Sequence, residues 1–215
     1  VTEVPGLGPV LGLVWAAQPA VPPPGVDPER FAAAALADSY EVLADLDLVR
    51  AGVARAGGRP TAAETDELLW PGDVAVDADA DAGDDLRALA ARVVAGTEGG
   101  PALRGLLVVP ADVPDLPGLV PAKLVRGLLR GDVCTAPETG GPGLAGFAVR
   151  LPWPEWLDVT VGLDHDPQEA LVARAPQRRL VSRAPGWHRL RTPASVHRLD
   201  PGLEGWEQTR TLLGG

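Results

Sequence analysis

Two carboxylates, Asp112 and Asp115, stand in the run Pro110-Ala111-Asp112-Val113-Pro114-Asp115, directly after Leu106-Leu107-Val108-Val109. A short continuous apolar run marks a strand buried on both faces. The prolines at 110, 114 and 117 stiffen the turn and stop the strand. Further on, Gly140, Gly141 and Gly143 form a glycine-rich turn between two more predicted strands, Asp132 to Thr135 and Leu144 to Val149. In an open α/β sheet the ligand crevice lies beyond the carboxyl ends of the strands. The acidic turn and the glycine turn both fall there, which places a site without naming its reaction. Basic residues gather late, at Arg178, Arg179, Arg183, Arg189, Arg191 and Arg198. They read either as an anion-binding region or as solvated faces.

Other chemistry is sparse. The chain has no G-x-S-x-G elbow, no phosphate-binding P-loop and no H-E-x-x-H zinc motif. The histidines at 165, 188 and 197 lack zinc-ligand spacing and a cysteine partner. Cys134 lies inside a predicted strand and reads as a buried, inert thiol. His165, flanked by Asp164 and Asp166, reads as a surface or capping residue. The acidic stretch Asp77-x-Asp79-x-Asp81-x-Gly83-Asp84-Asp85 resembles a calcium loop only superficially. The positions that need Gly and Glu hold Ala82 and Ala88, so it reads as a solvated acidic loop with Asp84 or Asp85 at a helix start. Gly6-x-Gly8 precedes a strand, whereas a dinucleotide fingerprint follows one.

The elements that would position the site alternate between strand and helix. Val10 to Ala17 is the first buried strand. A stiff proline loop follows, Gln18 to Val26. Asp27-Pro28-Glu29 opens a helix as N-cap, first-turn proline and first-turn acid. Asp38, within that helix, reads as a solvated acid. Leu48 to Ala54 and Val74 to Val76 are strands. Between them Thr61-x-x-Glu64 is a capping box for a short helix. Leu86 to Val94 has a good amphipathic face, and Leu119 to Leu129 is a helix after the acidic turn. Trp153 and Trp156 read as packing on the edge of the core. Thr192 caps a last helix with Pro193 at its first position.

Asp112-x-Pro114-Asp115-Leu116-Pro117, followed by Ala136-Pro137-x-Thr139-Gly140-Gly141-x-x-Leu144-x-Gly146, resembles a family of glycosyltransferase-like proteins. That family is related to the phospholactate guanylyltransferases and, more distantly, to the molybdenum cofactor guanylyltransferases. The resemblance implies a three-layer αβα sandwich with a mostly parallel sheet, the GT-A-like architecture of nucleotide-diphospho-sugar transferases, as a single domain over residues 1–215. It implies a nucleotide or nucleotide-sugar ligand, bound near Thr139, Gly140, Gly141, Arg189 and Arg191. It implies magnesium or manganese on Asp112 and Asp115, with Asp115 alternatively bonding backbone groups of its own turn.

Several features depart from the family. Thr139 stands where the family has Asp, and Pro142-Gly143 replace paired tyrosines. The family's first loop carries basic groups that neutralise phosphate, but here no positive side chain occurs between residues 1 and 29. The family closes with D-x-D-T-P, and here Arg189-Leu190-Arg191-Thr192-Pro193 reverses both charges. An arginine there repels a metal, or it binds phosphate directly. The favoured reading is an Asp112–Arg191 ion pair filling the metal position. Either a divergent transferase or an inactive relative kept as a binding or scaffold protein is expected.

Composition agrees with one α/β domain. The 215 residues are enough for a sizeable core, with 46% hydrophobic content. A net charge of −10 argues against nonspecific binding to nucleic acid or anionic membrane. The first apolar run lacks the basic flank of a secretory signal and the length of a membrane span. One cysteine cannot form an internal disulfide, so a cytoplasmic setting is expected.

Overall fold

A computed structural model of the protein describes residues 3–4, 7–78, 85–96 and 102–214. In chain order the elements are β1 (Glu3–Val4), β2 (Gly8–Trp15), α1 (Pro28–Ala44), β3 (Arg50–Arg55), α2 (Ala62–Leu68), β4 (Val74–Asp77), α3 (Leu86–Gly96), β5 (Gly105–Pro110), α4 (Leu119–Gly127), β6 (Val133–Pro137), β7 (Leu144–Arg150), α5 (Gln168–Arg174), β8 (Val181–Arg183) and α6 (Glu207–Leu212). The main sheet runs β4-β3-β2-β5-β7-β6-β8, with β1 paired antiparallel to β2 beside it. β7 is antiparallel to both its neighbours, and the other pairings along the sheet are parallel. Among the described residues no helix is long and apolar enough to cross a membrane.

The central strand explains the layering. Side chains alternate between sheet faces. Leu107 and Val109 therefore pack with Tyr40 and Leu43 of α1 and Leu124 of α4, while Leu106 and Val108 pack with Leu86 and Leu89 of α3 and Leu171 of α5. Each of these four strand residues is fully buried, so the sheet is covered on both faces and the architecture is the expected αβα sandwich. Gly146 lets α4 lie close against β7, because a Cβ there would stand 2.6 Å from Leu124 Cδ1.

Local signals match the elements they announce. Asp27 accepts from the Arg30 N–H at 2.8 Å at the start of α1. Thr61 and Glu64 cap α2 reciprocally, at 3.3 and 2.7 Å. Asp85 accepts from the Arg87 N–H at 2.9 Å as α3 begins. The calcium-loop positions Asp79, Asp81 and Asp84 lie outside the described residues. Trp153 stacks against Phe147 with ring centroids 6.3 Å apart, and Trp156 donates to Asp132 at 2.8 Å, so both tryptophans pack on the core edge. Cys134 is buried, and burial pushes its thiol up from the ordinary range.

Two expectations change. The segment after Thr192 is a 3-10 helix, Pro193–Arg198, capped by Thr192 and Ser195 in mutual contact. Asp38 is not solvated: it is 0% exposed and accepts from the backbone N–H groups of Gln208 at 3.1 Å and Thr209 at 2.8 Å. The carboxylate of α1 thus closes the first turn of α6, a partner that a one-helix reading does not contain.

Candidate functional site

The carboxyl ends of β2, β5 and β6 and the start of β7 come together on one side of the sheet. From there project the turn after β5 (111–118), the turn between β6 and β7 (138–143), the loop after β2 (16–26) and the segment 187–191. That last segment is extended and tied to three of the others. Thr139 donates to the Trp187 carbonyl at 2.7 Å, Leu190 donates to the Asp112 carbonyl at 2.8 Å, and Val21 donates to the Leu190 carbonyl at 2.8 Å. In an extended segment, residues two apart share a face. Leu190 turns into a small apolar cluster with Ala20, Phe31 and Trp206, and Arg189 and Arg191 therefore both turn towards the crevice.

Arg189 is 1% exposed. Its Nε donates to Asp112 Oδ1 at 2.8 Å, and its Nη1 donates to the carbonyls of Leu163 at 2.9 Å and Leu144 at 3.3 Å. Arg191 lies nearer the solvent, with its side chain 25% exposed. Its Nε donates to Glu138 Oε2 at 2.9 Å, and its Nη1 donates to Asp164 Oδ1 at 2.8 Å and to Gln18 Oε1 at 3.0 Å. Gln18 in turn donates to Asp164. An ion pair at Asp112 is present, but its cation is Arg189 rather than the expected Arg191. Both arginines face the crevice. Arg189 reaches the floor beside β5, and Arg191, two residues further along, meets the rim.

Asp115 is engaged elsewhere. It accepts from Trp187 Nε1 at 3.0 Å and from the Asp200 backbone N–H at 3.0 Å. His188 Nε2 is 3.1 Å away, off the line of a good hydrogen bond. Asp115 thus anchors the C-terminal segment to the acidic turn. It bonds distant groups rather than the backbone of its own turn.

The glycine turn is packed rather than open at its base. Gly140 has φ of 79°, a conformation that favours glycine. A Cβ on Gly141 would meet the Glu138 carboxylate at 2.3 Å, and one on Gly143 would meet the Leu163 carbonyl at 2.5 Å and Arg191 Nη2 at 2.6 Å. Thr139 and Gly140 are exposed on the outside of the turn, where Arg198 donates to the Thr139 carbonyl at 3.1 Å.

Electrostatically the cluster sets two guanidiniums against three carboxylates. Burial pushes the Asp112 carboxyl above its ordinary value, while Arg189, then Arg191, pull it back. At Asp164 burial also pushes up, but the hydrogen bonds of Arg191 and Gln18 and the guanidinium charges outweigh it, so the carboxyl ends below the ordinary range. Sequence reasoning missed Glu138, Gln18 and the pairing role of Asp164. Glu138 could have been found from its place between the end of β6 and the glycine turn.

The residues do not fit the divalent metal that the sequence resemblance implies. Asp112 faces a guanidinium that water does not reach, and both oxygens of Asp115 are in use. Among the described residues no group of three or more His, Cys, Asp and Glu is arranged to hold a metal.

No protein-family model matches the chain, and no curated protein does. Solved structures do match in fold. One is a nucleotide-diphospho-sugar transferase candidate from Desulfovibrio desulfuricans G20, at 16% identity over 95% of this chain and 94% of that one, with TM-score 0.63. Another is a Mycobacterium tuberculosis H37Rv protein in complex with manganese, at 15% identity over 96% and 98%, with TM-score 0.52. A third is the 4-diphosphocytidyl-2C-methyl-D-erythritol synthase of Anaerococcus prevotii, at 10% identity over 83% and 87%, with TM-score 0.54. At these identities the likeness shows a nucleotide-diphospho-sugar transferase fold.

Proposed function

We propose that this chain is a catalytically inactive relative of the nucleotide-sugar and nucleotidyl transferases, retained as a binding protein. The observation that carries this reading is the buried Asp112–Arg189 pair. Nucleotidyl transfer needs a divalent ion that bridges phosphate oxygens and balances developing charge. Such an ion is held by one or two carboxylates plus the substrate phosphates. A fixed guanidinium at 2.8 Å from Asp112 repels a dication and would leave a buried charge if displaced. The loop after β2, with no basic residue before Arg30, offers no charge to a triphosphate either. Magnesium or manganese therefore has no role at Asp112 and Asp115 in this reading.

A second reading keeps the ligand and drops the metal. Arg191 is the partly exposed arginine at the rim, beside the exposed Thr139-Gly140-Gly141 turn, and a guanidinium is a good bidentate partner for phosphate. A nucleotide or nucleotide-sugar phosphate would take Arg191 from Glu138 and Asp164. Thermal unfolding against nucleoside triphosphates and nucleotide-sugars, with and without magnesium or manganese, separates the readings, because a ligand that binds the folded state raises the midpoint. No shift supports a protein-partner or scaffold role. A metal-independent shift that Arg191→Ala removes supports phosphate binding. A shift that requires metal overturns both.

A further inference from the structure

We propose that this chain associates head to tail with a second copy of itself, the basic edge of one molecule lying against the acidic edge of the next. The contact uses neither the crevice nor a ligand, so it goes beyond the functional reading and is independent of it. Its basis is the way charge is divided along the chain. The net charge is −10, yet residues 116–131 and 170–199 hold ten of the nineteen lysines and arginines and none of the acids. Residues 60–86 hold nine of the twenty-nine acids and no basic residue.

The fold sends these stretches to opposite edges of the sheet, where β8 ends one side and β4 the other. The end of α4 packs on β8: a Cβ on Gly127 would stand 2.8 Å from Ser182 Oγ, and one on Gly131 would stand 2.7 Å from the Leu180 carbonyl. Lys123, Arg126 and Arg130 are thereby gathered near Arg178 and Arg179, and all five are exposed. Arg174 and Arg183 are already paired, with Asp158 and Asp166. Lys123, Arg126, Arg130 and Arg178 have no ion-pair partner among the described residues. At the β4 edge Asp66 and Glu67 are exposed on α2 and equally lack one among the described residues. Each edge also exposes a large apolar side chain, Leu129 at 40% after α4 and Trp70 at 48% before β4. A guanidinium from a neighbouring copy can lie on the face of such a tryptophan.

At the usual strand spacing, seven strands put the two edges about 29 Å apart. That is about three screening lengths in about 0.1 M salt, so the two edges do not neutralise one another within one molecule. Between molecules they can. β4 and β8 run in the same direction, so a copy displaced along the sheet brings unlike edges together. Because the two surfaces differ, the contact is heterologous and repeats from copy to copy.

Sedimentation of the full chain at rising protein concentration tests this. In about 0.1 M salt the mean mass should climb above that of one chain and pass that of a dimer. In about 1 M salt, where the screening length is about 3 Å, it should return to one chain. Arg126→Gln with Arg130→Gln, and separately Asp66→Asn with Glu67→Gln, should each weaken association about tenfold or more. None of these four side chains holds a partner in the fold, so both variants should keep the parent's unfolding midpoint. Each variant retains the edge that the other has lost. Mixed at a concentration where each alone is monomeric, they should form a one-to-one dimer and nothing larger. A parent that stays monomeric at about 1 mM chain overturns the proposal, since a dissociation constant of about 1 mM would by then join about half of the chains. Association that persists in about 1 M salt, stops at a dimer, or survives unchanged in either variant also overturns it. So does a monomeric parent that binds polyglutamate on the α4–β8 face, which would assign that face to a foreign acidic partner.

Discussion

Two of the buried aspartates, Asp38 and Asp112, have their charges met in different ways. Asp38, in the middle of α1, is met by backbone N–H groups at the start of α6. Asp112, at the end of β5, is met by the side chain of Arg189. Burial pushes both carboxyls up from their ordinary value. Backbone donors are present whatever the residue type, so the partner of Asp38 survives almost any substitution in α6. The partner of Asp112 is one side chain, and a single substitution removes it. The helix contact is held by the main chain, whereas the strand-end pair depends on a single side chain.

The largest expected effect breaks the Asp112 side of this contrast. Arg189→Ala should lose about 3–5 kcal/mol, the usual cost of leaving a buried charge unpaired, read by urea unfolding. Arg189→Lys should recover part of the loss, since it restores the charge but not the fork that reaches both Asp112 and the two carbonyls. Next, Asp38→Ala should cost about 1–3 kcal/mol, the range for buried donors that lose a charged acceptor. Amide exchange should place the loss locally, with Gln208 and Thr209 losing protection ahead of the central strands.

A smaller effect sharpens the contrast through pH. A carboxyl raised on folding contributes stability that is full below its unfolded value, near 3.8 for Asp38, and is lost as pH rises through the folded value. The parent should therefore lose stability relative to Asp38→Asn as pH rises above about 4. Asp164 has the opposite sign, because its folded value is lowered. Its contribution is present above the unfolded value and fades as pH falls, so the parent's advantage over Asp164→Asn should shrink on acidification. A parallel response of the two variants would refute the assignment. Gln18→Ala should be the mildest, at most about 1 kcal/mol. It loosens the hold of the loop on Asp164 and Arg191, and faster amide exchange at Val21 would report it.

Much of the scaffold was legible because its signals are local. The apolar run of β5, the caps at Asp27 and at Thr61–Glu64, and the glycine turn each depend on a few adjacent residues. That the acidic turn and the glycine turn lie at the same end of the sheet followed from strand ends alone. What was not legible depends on depth and on distant partners. Arg189 and Arg191 share a face in any extended segment, and the sequence does not say which lies against the floor. Once Leu190 is seen to turn into the cluster with Phe31, and its N–H to bond the Asp112 carbonyl, the deeper position falls to Arg189. Asp38 was misread because the donors it faces lie about 170 residues away, where no pattern within α1 points. The run Ala32 to Ala35 with Ala37 was a usable clue. Residues this small on a helix let neighbouring elements come close, and α1 is buried at every position from Ala34 to Tyr40, Asp38 and Ser39 included.

The segment 187–191 also bears on how the chain comes together. Arg189 is separated from Asp112 by 77 residues, and Arg191 from Gln18 by 173. Contacts this remote in sequence form only after long loops have closed, and such topologies fold slowly. Until that segment docks, Asp112 and Glu138 remain hydrated and the crevice end of the sheet is open. The seal then acts chiefly on the way out: loss of these pairings should speed unfolding more than it slows folding. The arginines that fill the crevice are, on this view, a lock on the finished molecule, fastened by a segment far along the chain from the groups it meets.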